Sequence, residues 1–234
     1  MKSYGQYCPI AAALDVIGER WSLLIIRELS FGPQRFTDIR RALPGLSPNL
    51  LIDRLRLLDE QGVIERRGDA GMSSRAVYTL TASGTELLPI LQSLAQWGIH
   101  HLPDPGEILN FSPVAAIRTA LFNGVAYRFL PPEGIRVSLE IDGMRFRMLL
   151  NGPVPWLRGG SDENADVKLK ISAADLVRWR QGRILVGEAL QSGRIELSGS
   201  KVEAFLEVFG FQAAPAKRPE LAIRSIAALK AESN

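Results

Sequence analysis

Three patterns together predict an α+β protein. Helical periodicity punctuated by Pro and Gly fills residues 8–62, a strand–loop–strand pattern follows over 63–80, and two-residue alternation surrounds Asp142-Gly143. The expected architecture is an N-terminal winged helix-turn-helix, then a C-terminal α+β domain with a largely antiparallel sheet and helices on one face. The expected division is residues 1–102, a joint over 103–107, and a second domain over 108–234.

Composition narrows the class. An apolar content of 46% against 23% charged residues suits a globular chain with a real core. No apolar run approaches the roughly 20 residues that span a bilayer, and the polar start MKSYGQY is unlike a signal peptide, so a cytoplasmic protein without membrane insertion is expected. One cysteine leaves no internal disulfide. Lys and Arg number 11 against 10 acids in residues 1–100, and 17 against 15 in 101–234, so neither half is a polycation. Any nucleic-acid binding must come from where the charges sit.

The first elements follow in order. CPIAAALDVI (Cys8–Ile17) reads as a helix ending at Gly18, and RWSLLIIREL (Arg20–Leu29) as a second, with Trp21, Leu24, Ile25 and Leu29 on its apolar face. After the turn Phe31-Gly32-Pro33, a short helix over Arg35–Leu43 points Phe36, Ile39 and Leu43 inward. Pro44-Gly45 breaks it. Ser47 caps the next helix, Pro48 suits its first position, and Gly62 suits the left-handed residue beyond its end. At about 100° per residue, Leu51, Leu55 and Leu58 stack on one side, while Asn49, Asp53, Arg56 and Glu60 point the other way. Two helices across a tight turn, the second with an outward polar stripe, make a helix-turn-helix. Val63–Arg67 and Ala76–Leu80 then alternate as the strands of a hairpin, which completes a winged helix. The candidate DNA-contacting residues are therefore Arg35, Ser47, Pro48, Asn49, Asp53 and Arg56, with the wing residues Arg66, Arg67 and Arg75 placed for phosphates or a minor groove.

Thr81 caps a long helix over Ala82–His100, kinked or restarted at Pro89. Its stripe of Leu87, Leu91, Leu94, Ala95 and Gly98, edged by Ile90 and Trp97, exceeds what one small winged helix can cover. A homodimer uses that surface and sets two recognition helices one DNA turn apart.

The Cys-Pro near the start, DVIGERWSLLIIREL, GPQRFTDIRRALPGLSPNLLIDRLRLLDEQGVIERR, VYTLTASGTELLPIL and the late Trp-Gly resemble the HxlR-type winged-helix transcriptional regulators over about Tyr7–His101. Ser73-Ser74-Arg75 departs from the proline-rich approach expected before the second wing strand. The resemblance implies dimers that bind double-stranded operator DNA and repress or activate nearby genes. It also marks Cys8 as a candidate redox residue, since some such regulators sense oxidants through an N-terminal cysteine. A helix start favours a thiolate, but no second cysteine exists to resolve an oxidised one, and the other role for Cys8 is a small residue packed at the dimer interface.

Pro103-Asp104-Pro105-Gly106 is the joint. The adjacent His100-His101 pair has no Cys or further His to make a metal site, and no cofactor motif is present. A helix over Ser112–Phe122 opens the second half. Strands are expected at Ile135–Ile141, after the Asp142-Gly143 turn from Met144, and at Asp166–Ile171 and Arg194–Leu197. Helices follow the capping patterns Ser172–Asp175 and Ser200–Glu203. The tail Lys217–Asn234 reads as one exposed helix.

The run DVKLKISAADLVRWRQGRILVGEALQSGRIELSGSKVEAFLEVFG, within Ile135–Phe211, resembles the later part of sterol-carrier-protein-type domains. That resemblance implies an apolar tunnel for a hydrophobic small molecule, with Met144, Phe146, Met148, Trp179, Phe205 and Phe209 as candidate lining residues. The same six side chains would also serve as plain core. No catalytic constellation is visible, so an enzyme is not expected. The sequence thus predicts a dimeric DNA-binding regulator whose C-terminal domain takes a hydrophobic effector. The rival is a lipid or hydrophobic-ligand carrier whose winged helix serves mainly in dimerisation.

Overall fold

The first helix, α1 (Pro9–Ile17), starts behind Cys8, whose backbone is extended, and ends at Gly18, whose N–H donates to the Leu14 carbonyl. In this computed structural model of the chain the described residues are 3–68, 76–102, 104–105, 116–118, 120, 130–151 and 156–209. Two compact units emerge, residues 1–92 with 153–157 and residues 93–152 with 158–234. The division falls before the expected joint, inside a helix.

In the first unit, α2 (Ser22–Ser30) begins two residues later than expected, because Trp21 takes a left-handed conformation at φ 83°. Ser22, Ile25, Ile26 and Leu29 are buried and Leu24 faces out, which corrects the expected stripe by exchanging Leu24 for Ile26. The two-residue strand β1 (Gln34–Arg35) leads into α3 (Phe36–Ala42). Ile39 and Leu43 are core and Phe36 is half-buried. After a turn with Gly45 at φ 91°, α4 (Pro48–Glu60) follows. The strands β2 (Ile64–Arg67) and β3 (Val77–Leu80) pair antiparallel, Ile64 opposite Leu80 and Arg67 opposite Val77. β1 adds to the far edge of β3, Arg35 opposite Val77, giving the order β1-β3-β2. This third strand was not expected; two residues are too few to show alternation.

Thr81 accepts from the Gly84 N–H at 3.1 Å and caps α5 (Ala82–Glu86). Gly84 is required there, since a Cβ would lie 2.0 Å from the Val63 carbonyl oxygen. The chain breaks at Leu87 and restarts as α6 (Leu88–Gly98), the restart expected of Pro89, then tightens into a 3₁₀ turn, Ile99–His101. Leu88 and Leu91 are buried, whereas Ile90, Leu94 and Trp97 are exposed.

A five-stranded sheet follows, formed by β4 (Ile135–Ile141), β5 (Met144–Leu150), β6 (Trp156–Gly159), β7 (Val167–Ile171) and β8 (Ile195–Gly199), in the order β6-β5-β4-β7-β8. Asp142 and Gly143 both have positive φ, 49° and 77°, so the expected two-residue hairpin is a type I′ turn. β4–β5 and β7–β8 are antiparallel, and β4–β7 is parallel. Ile135, Val137, Leu139 and Ile141 alternate with Arg136, Ser138 and Glu140, as the sequence predicts, and only the apolar set is fully buried. The helices α7 (Ala173–Arg180), α8 (Val186–Gln191) and α9 (Val202–Phe209) contribute the buried Leu176, Val177, Trp179, Ala189, Phe205 and Val208. Helix also occurs at residues 116–118 and 120; the remainder of the expected 112–122 helix, and the expected tail helix, lie outside the described residues. Among the described residues no helix is long and apolar enough to cross a membrane.

A cluster of ions organises α7. The Ser172 hydroxyl accepts from the Asp175 N–H at 3.0 Å, and the Asp175 carboxylate turns to Arg194 and Arg178. Arg178 also donates to Asp104 at 2.6 and 3.1 Å, so the segment following α6 is held to α7. Burial alone would raise the Asp175 carboxyl, but the hydrogen bond and charge of Arg194, aided by Arg178 and Ser172, outweigh it and hold the group below the ordinary 3.8. A depressed carboxylate contributes stability that is present above its unfolded value and lost as pH falls through its folded one. Asp175→Asn is therefore expected to cost about 1–3 kcal/mol at neutral pH. In thermal melts followed by circular dichroism, the gap to the parent protein should close as pH drops below 3.8.

Candidate nucleic-acid interface

The interface is built around α4. The Ser47 hydroxyl accepts from the Leu50 N–H at 3.3 Å, and Pro48 occupies the first helical position, where a missing N–H costs nothing. Leu51, Leu55 and Leu58 are buried, which fixes the rotation of the helix about its axis. Arg54, on the flank, is used structurally: it donates to Glu19 at 2.8 Å and to the Arg20 carbonyl at 3.2 Å. Ser47, Pro48, Asn49, Asp53 and Arg56 are all exposed, as the sequence predicts.

Charge on that face is not simply basic. Arg56 lies between Asp53, at 3.7 Å, and Glu60, at 3.9 Å, one turn away on either side. These are exposed pairs of little energetic worth, so Arg56 remains available to another acceptor. The whole of α4 carries two arginines against three acids. Attraction to a polyanion must come from its surroundings.

Those surroundings are arginine-rich. Arg35 is exposed at the junction of β1 and α3, its N–H donating to Asp38 at 3.3 Å. Arg66 and Arg67 are exposed on β2, with Arg67 paired to Glu65 on the same side of the strand. Arg75 and the loop 69–75 lie outside the described residues. The structure adds Arg40 and Arg41, exposed on α3; the Arg-Arg pair of RFTDIRRAL was the available signal. It also adds Ile52, 53% exposed between Asn49 and Arg56 on the outward face of α4.

Cys8 is half-buried, opens α1 and makes no side-chain cap bond. The candidate tunnel residues separate. Met148, Trp179 and Phe205 are buried core, Phe146 is half-buried and Met144 is 44% exposed at the hairpin; the Phe209 side chain lies outside the described residues. A groove of about 400 Å³ on the sheet is lined by Leu139 and Leu169 together with charged residues such as Glu140, Arg145, Lys168 and Glu196, and by none of those six.

Similarity to a known family falls in the N-terminal part of the chain. Residues 16–105 match the HxlR-like helix-turn-helix family. An uncharacterized HTH-type transcriptional regulator of Mycobacterium tuberculosis is 41% identical over 96 residues, 41% of this chain and 60% of that protein. YvaP of Bacillus subtilis, of the same description, is 39% identical over 93 residues, covering 39% of this chain and 86% of YvaP. The chain belongs to the HxlR-like helix-turn-helix family. The HTH-type transcriptional regulator YodB of Bacillus subtilis is 34% identical over 101 residues, 43% of this chain and 89% of YodB. The solved reduced form of YodB has a TM-score of 0.35 at 34% identity, over 40% of this chain and 92% of that one. This HxlR-like protein spans 60% of the length of the mycobacterial relative, and the matched region ends at residue 105. α4 and its arginine surroundings all fall inside the matched region.

Proposed function

We propose that this HxlR-like protein is a dimeric, sequence-specific DNA-binding transcriptional regulator whose second unit takes a hydrophobic effector. The observation that carries the DNA-binding role is the sidedness of α4. Its leucines are spent on the core, so Asn49, Asp53 and Arg56 face outward inside a family-matched helix-turn-helix. In a major groove, Asn49 suits the N6/N7 edge of adenine and Arg56 the O6/N7 edge of guanine. Arg35, Arg40, Arg41, Arg66 and Arg67 supply the phosphate contacts that the acid-rich helix cannot.

Support for a homodimer comes from apolar surface that lies exposed on two helices: Ile10 and Leu14 on α1, and Ile90, Leu94 and Trp97 on α6. Cys8 enters this reading as the small residue that opens α1. The effector role rests on the resemblance of the second unit to sterol-carrier-type domains and on the Asp104–Arg178 clamp. A ligand that displaces α7 would pull on the segment leaving α6. No catalytic step is assigned to the protein.

Against a duplex selected from a random pool, Asn49→Ala or Arg56→Ala is expected to weaken binding by about 1–3 kcal/mol, with mixed-sequence DNA little affected. Arg66→Ala and Arg67→Ala should weaken all duplexes alike and lower the salt slope by about one each. Equal losses from both classes would remove the assignment of α4 as reader. For the second unit, titrating that duplex across a panel of fatty acids, sterol-like and aromatic compounds is expected to find one that moves DNA affinity by about 5–150-fold. A compound that binds tightly and leaves the titration curve in place would favour the carrier role instead.

A further inference from the structure

We infer that Ile52 is a base-reading residue, whose side chain packs on the C5 methyl of a thymine in the major groove. The inference rests on the DNA-binding role of α4. Residues 49, 52, 53 and 56 are three and four apart, so Asn49, Ile52, Asp53 and Arg56 form one contiguous cluster on the helix surface. All four are exposed, and Ile52 is the apolar member. It is the fifth residue of a helix that starts at Pro48, within the N-terminal part that meets base edges in a helix-turn-helix.

A single exposed isoleucine is ordinary on a protein surface. Its location gives it meaning. Ile10 and Leu14 on α1, Leu24 on α2, and Ile90, Leu94 and Trp97 on α6 are also exposed, and all lie on other elements. The core side of α4 is already filled by Leu51, Leu55 and Leu58, so Ile52 has no inward role. Chemistry then restricts its partner. Isoleucine has neither donor nor acceptor, and the apolar group that the major groove presents is the thymine methyl. A β-branched side chain on a helix is held nearly to one χ1 rotamer, so little freedom is lost on contact. The flanking groups cannot substitute: Asn49 and Arg56 read hydrogen-bonding edges, and Asp53 is an acceptor that suits cytosine N4 and repels phosphate.

The test uses the full-length protein and a duplex selected on it from a random pool, with each thymine replaced in turn by deoxyuridine, which lacks only the methyl. At one thymine in each half-site, the replacement should weaken the parent protein about fourfold, the effect of losing one buried methyl. Ile52→Ala should bind the thymine and uracil duplexes equally at that position, and Ile52→Val should keep part of the difference. Matched melting curves for the three proteins exclude a folding defect. If the uracil scan of Ile52→Ala reproduces that of the parent, Ile52 does not read thymine, while the DNA-binding role stands. If the selection yields no duplex, the DNA-binding role fails and this inference falls with it.

Discussion

The burial of Leu51, Leu55 and Leu58 is the constraint on which the first unit depends. Each fully buried leucine is worth about 1.5–3 kcal/mol relative to exposure, so three along one stripe leave α4 a single stable rotation. Everything on the opposite side is then presented outward by default. The Ser47 cap and Pro48 fix where the helix begins, and Arg54, anchored to Glu19 and the Arg20 carbonyl, ties its flank to the turn before α2. A reading face needs this rigidity, since a base contact is lost when its side chain is misplaced by an ångström.

The outward face of α4 is net acidic rather than basic, with Asp53, Asp59 and Glu60 exposed beside Arg56. A helix with more acids than arginines gains little from phosphates wherever it lies on DNA, so its affinity depends on base contacts. Exposed positive charge lies instead at Arg35 on β1, Arg40 and Arg41 on α3, and Arg66 and Arg67 on β2. The second unit follows a different logic. Its core is apolar residues of the sheet and of three helices, and one connected set of its ion pairs is the Asp104–Arg178–Asp175–Arg194 chain.

Much of this architecture was legible in the sequence where one signal dominated locally. The boundaries of α4, the I′ turn at Asp142-Gly143 and the alternation along β4 each follow from residues a few positions apart. What escaped depended on distant partners. β1 is two residues long and exists because β3 offers it an edge, and the phase of α2 is set by the left-handed Trp21 that no periodicity reveals. The parallel pairing of β4 with β7 likewise joins strands distant in sequence, which no local signal reveals. Among candidate site residues, the exposed positions of α4 were readable because helical geometry alone decides exposure. Ile52 is not marked by the sequence, because a stripe of polar residues is the signal of an outward face and isoleucine is apolar. The six tunnel candidates show the converse limit: aromatic and methionine side chains mark apolar surroundings, and Met148, Trp179 and Phe205 prove to be packed core.

The proposed function requires the outward face of α4 to meet DNA in the major groove. Methylation interference tests it most directly, because dimethyl sulfate marks guanine N7 in the major groove and adenine N3 in the minor groove. On a duplex bound by the full-length protein, interference is expected from guanine N7 in two clusters about 10–10.5 base pairs apart, one for each protomer. Tight, sequence-specific binding with interference confined to adenine N3 would place the protein in the minor groove and overturn major-groove reading by α4.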